Sequence, residues 1–274
     1  MPSDLHTHTS FSDGRLTPEE LIAEAKKAGL HYIALTDHDT VDGISHLYES
    51  GLFPTKGIHI IPGIEFSAHH PLHEVHILGY GIDIFCTSLL DKLNEVTDAR
   101  WSRFSEIVEK LNGLGYAITE ADVLAIAGVS KSISRSHIGR VLVKKGYFDS
   151  VRSAFEELLS KGQPAYVPHY RFEVEEVLSL ILAAKGRAVL AHPKLVYDEE
   201  LVERICQMGI DGIEVFYPQH DEDDTAHYLE LAKKYGLLPA GGSDFHGFPT
   251  RYPTEIGVFT IPDEYAVPFY RAEN

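Results

Sequence analysis

The chain has 274 residues, 44% of them hydrophobic and 24% charged, the balance of an ordinary globular protein with enough apolar side chains for a sizeable core. Its formal charge of −17 excludes a broad electrostatic footprint for duplex nucleic acid, which demands clustered Lys and Arg, and no apolar run reaches the length of a membrane span. Cys86 and Cys206 do not make a disulfide framework, and the start MPSD lacks the basic and apolar stretches of a cleaved leader, so a cytoplasmic protein is expected.

The opening DLHTHTSFSDG sets His6, His8 and Asp13 close together, directly after the few residues of a first strand. Histidines at i and i+2 on a strand point to the same side and converge, as metal ligands must. LTPEELIAEAKKAG reads as a helix, with Thr17 as N-cap, Pro18 at its first position, Glu19 and Glu20 in the first turn and Gly29 past its end. HYIALT is the second strand, completing a β-α-β opening, and Asp37 and His38 follow it. Further strands are expected at 58–66, with Glu65 near its end, and at 75–80, which holds His76.

More than a hundred residues then separate Tyr80 from Arg187, where a crossover needs about a dozen. The spacing predicts a helical domain inserted at 83–172, leaving 1–82 and 173–274 for the main body. Apolar residues recur at helical spacing from 89 to 115, and again over 119–127, 136–145 and 151–160. In SISRSHIGRVLVKKG either Ser134 or Ser136 can cap a helix that begins beside Arg135. Such an N-terminus is a ready anion site, or else simply a solvated basic helix end. SKGQPAYVPHYRF, with Tyr166, His169 and Arg171, reads as a lid over the site or as a linker. Helices at 173–185, 199–208 and 222–235 alternate with strands at 187–191, 211–216, 237–241 and 255–261, the pattern of a mostly parallel, barrel-like α/β fold. His192 follows RAVLA, and LLPAGGSDFHG repeats the opening device with Asp244 and His246 at i and i+2.

Most of these candidates fall at or near the carboxyl ends of strands, the rim where α/β barrels and open sheets build their sites. With sixteen histidines in the chain, any single one is more often structural than metal-bound; His31, His46, His59, His69, His70, His73, His220 and His227 lack a strand-end context or a paired partner and read as surface or structural. The set of imidazoles and carboxylates without thiolates suits manganese, iron or zinc. Clustered metals bind phosphoryl oxygens and activate water, so hydrolysis of a phosphate ester is the natural reaction.

The ordered motifs DLHTHTSFSDG, LTDHDTVDG, GIEFSA, VHILGYG, LAHP and GGSDFHG resemble those of the PHP (polymerase and histidinol phosphatase) family of metal-dependent phosphoesterases. The SRSHIGRVLV segment brings the chain nearest to the branch of 3′,5′-nucleoside bisphosphate phosphatases and 5′–3′ exoribonucleases. The resemblance implies a distorted (β/α)7 barrel with an inserted helical domain, although strand counting alone leaves seven against eight open. It also implies three divalent metal ions: the first on His6, His8, Glu65 and Asp244, the second on Asp13, His38 and His246, the third on His76 and His192 with Glu65 bridging. The expected reaction is attack by a metal-bridging hydroxide on a phosphate monoester of a 3′,5′-bisphosphate nucleotide, or at the 5′ end of a short single-stranded RNA, with Arg135 and His137 gripping a phosphate. The alternatives are a small-metabolite phosphatase of the histidinol-phosphate type and a module that binds a nucleotide without turning it over.

Overall fold

The computed structural model describes residues 1–70, 73–168, 170, 172–249 and 253–271. His169 and Arg171 of the loop named above lie outside the described residues, as does the side chain of His69. In chain order, β1 (Pro2–Asp4), α1 (Pro18–Lys27), β2 (Tyr32–Leu35), α2 (Asp42–Glu49), β3 (His59–His69) and β4 (Glu74–Tyr80) form the first part of the body. The helices α3 (Thr87–Gly113), α4 (Glu120–Ala127), α5 (Arg135–Lys144) and α6 (Val151–Ala154) follow. The chain then returns through β5 (Phe172–Glu173), α7 (Val174–Ala183), β6 (Arg187–Leu190), α8 (Glu199–Cys206), β7 (Gly212–Phe216), α9 (Glu222–Tyr235), β8 (Leu238–Gly241) and β9 (Ile261–Pro262).

The main sheet runs β8-β7-β6-β4-β3-β2-β1-β9, with β5 paired to β3. Beyond the strand ends, a bridge between Thr7 and Phe245 and the bond from Leu5 N–H to the Gly241 carbonyl (3.3 Å) bring its two sides together. The result is a mixed α/β fold around a nearly closed, barrel-shaped sheet. Gly242 permits that seam, because a Cβ there would lie 2.3 Å from the backbone nitrogen of His6. Side chains alternate across the wall as the strand period requires. Ala34, Leu78, Val189 and Ala240 belong to one buried cluster with Tyr80 and Phe269, while Ile33, Leu35, Ile77 and Leu190 belong to a second with the helices.

Two strand expectations are corrected. The 255–261 run forms only Ile261–Pro262, antiparallel to β1; Gly257 takes a left-handed conformation (φ 89°) and interrupts the extended run. The first strand stops at Asp4, so His6 and His8 lie just past it. In addition, β4 runs antiparallel to both β3 and β6, so His76 reaches the site from the amino end of its strand. Helix α2 carries no side-chain cap and has a glycine in its first turn, which is why no start signal marks it in the sequence.

Helix α1 begins as expected, with Thr17 and Glu20 closing a capping box. Helix α3 is about 40 Å long at 1.5 Å per residue. Its first half packs Leu89, Leu93 and Val96 onto the barrel's outer core. Its second half puts Phe104, Ile107, Val108 and Leu111 into a separate core formed by residues 104–167. No helix among the described residues is long and apolar enough to cross a membrane.

Between the two cores, Arg100 is buried and donates through Nε (3.1 Å) and Nη2 to Asp39, and through Nη1 to the Ile133 carbonyl (3.3 Å). Asp39 also accepts from Ser67 N–H (2.9 Å). Arg100→Ala strands a buried carboxylate and is expected to lower the unfolding free energy by about 3–5 kcal/mol, measured by urea denaturation. The pair Arg100→Met with Asp39→Asn, which leaves no unmatched charge, should recover most of that loss. A cost below about 1 kcal/mol for Arg100→Ala would mean that water screens the pair.

Candidate metal centre

The nine candidate ligands of the sequence analysis converge. His6 and His8 both place Nε2 at 3.2 Å from Glu65 Oε2, and His38 Nδ1 lies 3.0 Å from the same oxygen. The other oxygen, Oε1, meets His76 Nδ1 at 2.7 Å and His192 Nε2 at 3.1 Å. Asp244 Oδ1 is 3.1 Å from His8 Nε2 and 3.5 Å from His6 Nε2. Asp13 Oδ1 is 3.3 Å from His246 Nε2 and 3.9 Å from His38 Nε2. Three groups have ligand atoms close enough to hold an ion each: His6, His8, Glu65 and Asp244; His8, Asp13, His38 and His246; and His38, Glu65 and His76. His8, His38 and Glu65 are thus each shared between two groups, which spacing along the chain could not show, and His38 stands in the third group where His192 was expected, His192 falling in none of the three.

The donor set fits metal ions better than it satisfies itself. His6 Nε2, Asp13 Oδ1, His38 Nδ1 and Glu65 Oε2 are sealed from solvent without a well-directed hydrogen bond among the described residues, a costly state unless a cation takes their lone pairs. Burial pushes the Glu65 carboxyl up, but His38, His6 and His76 outweigh it and hold Glu65 well below the usual range. Asp13 is likewise held well below normal, by His246 and His38 against burial. The histidines divide. Burial lowers His8, yet Asp244 and Glu65 raise it to about 10, whereas burial carries His38 down to about 3. An imidazole that stays neutral amid anions is a ready ligand.

A second layer, invisible to the motif reading, holds these side chains in place. Glu214, fully buried on β7, faces His6 Nδ1 with Oε1 (3.0 Å) and accepts His192 N–H on Oε2 (2.7 Å). Tyr217 donates to Asp244 Oδ2 (3.0 Å), and Asp4 accepts Ser243 N–H and Oγ–H. A carboxylate inside the apolar run DGIEVF was the available signal for Glu214. Asp37 joins no ligand group; it accepts from Thr9 N–H and Oγ–H and from Ser12 Oγ–H, fixing the 9–12 loop. Three non-glycine residues here, Asp39, His192 and Asp244, have positive φ (48°, 28° and 54°), backbone strain that the surrounding bonds must offset.

The expected structural histidines behave as such: His46 pairs with Glu19, His227 with Glu199, His31 with Asp263 and His73 with Asp198, while His220 donates to the Val215 carbonyl. The segment preceding α5 enters the site. Ser132 Oγ donates to the His38 carbonyl (2.6 Å) and Ser134 Oγ to Asp13 Oδ2 (3.1 Å). Ser134 caps α5, and His137 Nδ1 accepts Ser134 N–H (3.0 Å) from a buried position, where burial lowers its pKa to about 4. Arg135 is paired, through Nη2 to Glu74 Oε1 (2.6 Å) and Nη1 to the Leu159 carbonyl (3.2 Å).

Residues 4–175 match the model of the PHP domain. This chain belongs to the PHP family. It is 34% identical over 249 residues to the 3′,5′-nucleoside bisphosphate phosphatase of Chromobacterium violaceum, covering 89% of this chain and 86% of that one. It is 33% identical over 250 residues to the 5′–3′ exoribonuclease Rnm of Escherichia coli, covering 89% and 84%. A metal-dependent phosphoesterase structure from Bifidobacterium adolescentis, described there as putative, superposes with a TM-score of 0.87 at 29% identity, covering 97% of this chain and 94% of that one. The PHP chain described here is accordingly a metal-dependent phosphoesterase, a hydrolase of phosphoric esters.

Because Glu214 holds His6 from behind, Glu214→Ala should weaken metal retention by about 10- to 100-fold, read as the chelator concentration that strips half the metal. Unchanged retention would reduce Glu214 to a buried structural acid.

Proposed function

We propose that this protein removes a phosphate from 3′,5′-bisphosphate nucleotides and trims the 5′ ends of short single-stranded RNA, using three divalent ions of manganese, iron or zinc. The observation that carries the reading is Glu65, one buried carboxylate within 3.2 Å of five imidazoles. In this reading His6, His8, Glu65 and Asp244 hold the first ion, Asp13, His38 and His246 the second, and His76 and His192 the third with Glu65 shared. When bound, such ions polarise phosphoryl oxygens and lower the pKa of water. Residues 83–172 act as a helical cap inserted into the barrel of 1–82 and 173–274, supported by the separate core of residues 104–167.

The role of the chain's own residues is to orient and to exclude water. Glu214, Tyr217 and Asp4 fix the ligand side chains and their loops, while Ser132 and Ser134 bring the cap against His38 and Asp13. His137 is buried at the start of α5 and lines the phosphate side of the cap. Arg135 takes the phosphate that is not cleaved, exchanging the Glu74 carboxylate for phosphate oxygens. The phosphatase and exoribonuclease relatives support this substrate class, and a cytoplasmic setting would keep the free thiols of Cys86 and Cys206 reduced.

Elemental analysis of protein purified without chelator should approach three transition-metal ions per chain. The manganese-loaded protein should then hydrolyse adenosine 3′,5′-bisphosphate and 5′-phosphorylated short RNA faster than histidinol phosphate. One ion under metal-replete conditions, or preference for histidinol phosphate, would overturn the reading.

Arg135→Ala should cost about 2 kcal/mol in kcat/KM for adenosine 3′,5′-bisphosphate, the scale of a lost charged hydrogen bond, and clearly less for adenosine monophosphate. Equal losses for both substrates would place Arg135 on the reacting phosphate instead.

A further inference from the structure

Two arginines of residues 83–172 form ion pairs with acids of the barrel: Arg100 with Asp39 and Arg135 with Glu74. Arg140, on α5, does not. Its Nε and Nη2 are both sealed from solvent and lack a hydrogen-bond partner among the described residues. Its guanidinium lies over the ring of Phe248, with Cζ 4.4 Å from the ring centroid. Phe248 follows His246 by two residues, so the plane is stacked on the loop that carries one of the candidate ligands.

The identity of the two unpartnered atoms matters. Nε and Nη2 form one edge of the guanidinium and present two parallel N–H bonds, the fork that matches two oxygens of a phosphate. Arginine does not escape burial by losing its proton, and a charged edge removed from water without an acceptor is costly. Burial works against this charge and Asp13 favours it. Asp13 is also the residue that Ser134, at the start of the same helix, contacts through its hydroxyl (3.1 Å). Phe248, Asp13 and the start of α5 thus set this guanidinium beside the Asp13 and His246 end of the candidate metal centre.

We infer that Arg140 is a substrate-binding residue whose Nε–Nη2 edge grips two oxygens of the reacting phosphate, with Phe248 holding its plane in position. This rests on the proposed phosphatase reading, and it divides the work of the cap. Arg135 serves the phosphate that remains and Arg140 the phosphate that leaves. Loss of Arg140 should then penalise mono- and bisphosphate substrates equally, which loss of Arg135 should not.

The test uses the manganese-loaded full chain as wild type, Arg140→Lys and Arg140→Met. Calorimetry measures binding of inorganic phosphate, and steady-state kinetics compare adenosine monophosphate with adenosine 3′,5′-bisphosphate. Arg140→Met should weaken phosphate binding by about tenfold or more, and Arg140→Lys by less, because it keeps the charge and loses the fork. In both variants kcat/KM should fall by the same factor for the two nucleotides, while metal content stays that of the wild type. Phosphate affinity within about twofold of wild type in Arg140→Met would overturn the proposal, as would a loss confined to the bisphosphate. If Arg140→Met does not fold, phosphate binding by Arg140→Lys decides by the same criterion. Should the wild type hydrolyse none of these esters, the functional reading falls, yet the phosphate calorimetry still decides for or against Arg140.

Discussion

The Glu65 carboxylate, with no solvent access and five imidazoles around it, is the constraint from which the rest of the architecture follows. A carboxylate sealed in protein needs positive charge or hydrogen-bond donors close by. Here the groups supplied come from the β1 exit, the β2 exit, β4 and the β6 exit, so the sheet must curl until all four reach one strand. The reversed strand β4 meets that requirement from its amino end. Pairing antiparallel to β3 sets His76 opposite Ser67, two residues along from Glu65, so that His76 meets Glu65 Oε1 (2.7 Å) while His38, from the carboxyl exit of the parallel neighbour β2, meets Oε2 (3.0 Å).

Concentrating this much unmatched polarity at one rim of a barrel is expensive, and the neighbouring acids show how the cost is distributed. Asp4, Asp37, Asp39 and Glu214 are all buried beside the candidate ligands, and each has its oxygens turned to backbone N–H groups, hydroxyls, an imidazole or Arg100. They convert flexible strand exits into fixed ones, at the strained positions Asp39, His192 and Asp244 among others. Stability is thereby given up locally and recovered in the apolar wall below, where Leu78, Val189, Tyr80 and Phe269 fill the barrel.

What the sequence made legible was whatever a short-range rule could reach. The His6–His8 pair follows from the two-residue period of extended chain, which survives past the last ladder hydrogen bond, whereas Asp244, left-handed at φ 54°, stands out by its place after a strand and not by that period. The Thr17 cap follows from local chemistry, and the separate helical segment from the length between Tyr80 and Arg187. What stayed hidden depended on partners far along the chain. Glu214 meets His6 across more than two hundred residues, β4 takes its direction from the neighbours it pairs with, and the 255–261 run had β propensity that the left-handed Gly257 interrupts, so that only its end pairs with β1. Helix α2, uncapped and carrying an early glycine, is held by the burial of Ile44 and Leu47, a tertiary effect that local propensity does not register.

The charge of the chain gives the proposed cap its logic. At −17 overall, the protein's long-range field repels a phosphorylated substrate, and across about 8–10 Å of salt solution that repulsion fades. Selection must then occur at contact, where buried cations act in a low-dielectric setting and each one counts for more. The helical segment brings Arg100, Arg135 and Arg140 to the barrel, and their differing partners make them unequal. Arg100 is spent on Asp39 and joins cap to barrel. Arg135 shares a half-exposed carboxylate, so in the proposed role a phosphate must displace Glu74 to use it, which favours ligands with an additional phosphate to offer. Arg140 has no such competitor among the described residues. Under the proposed reading, a cap that merely covered the metals would need none of these distinctions, whereas one that sorts phosphates by number and position needs cations with different partners at fixed places around the candidate metal centre.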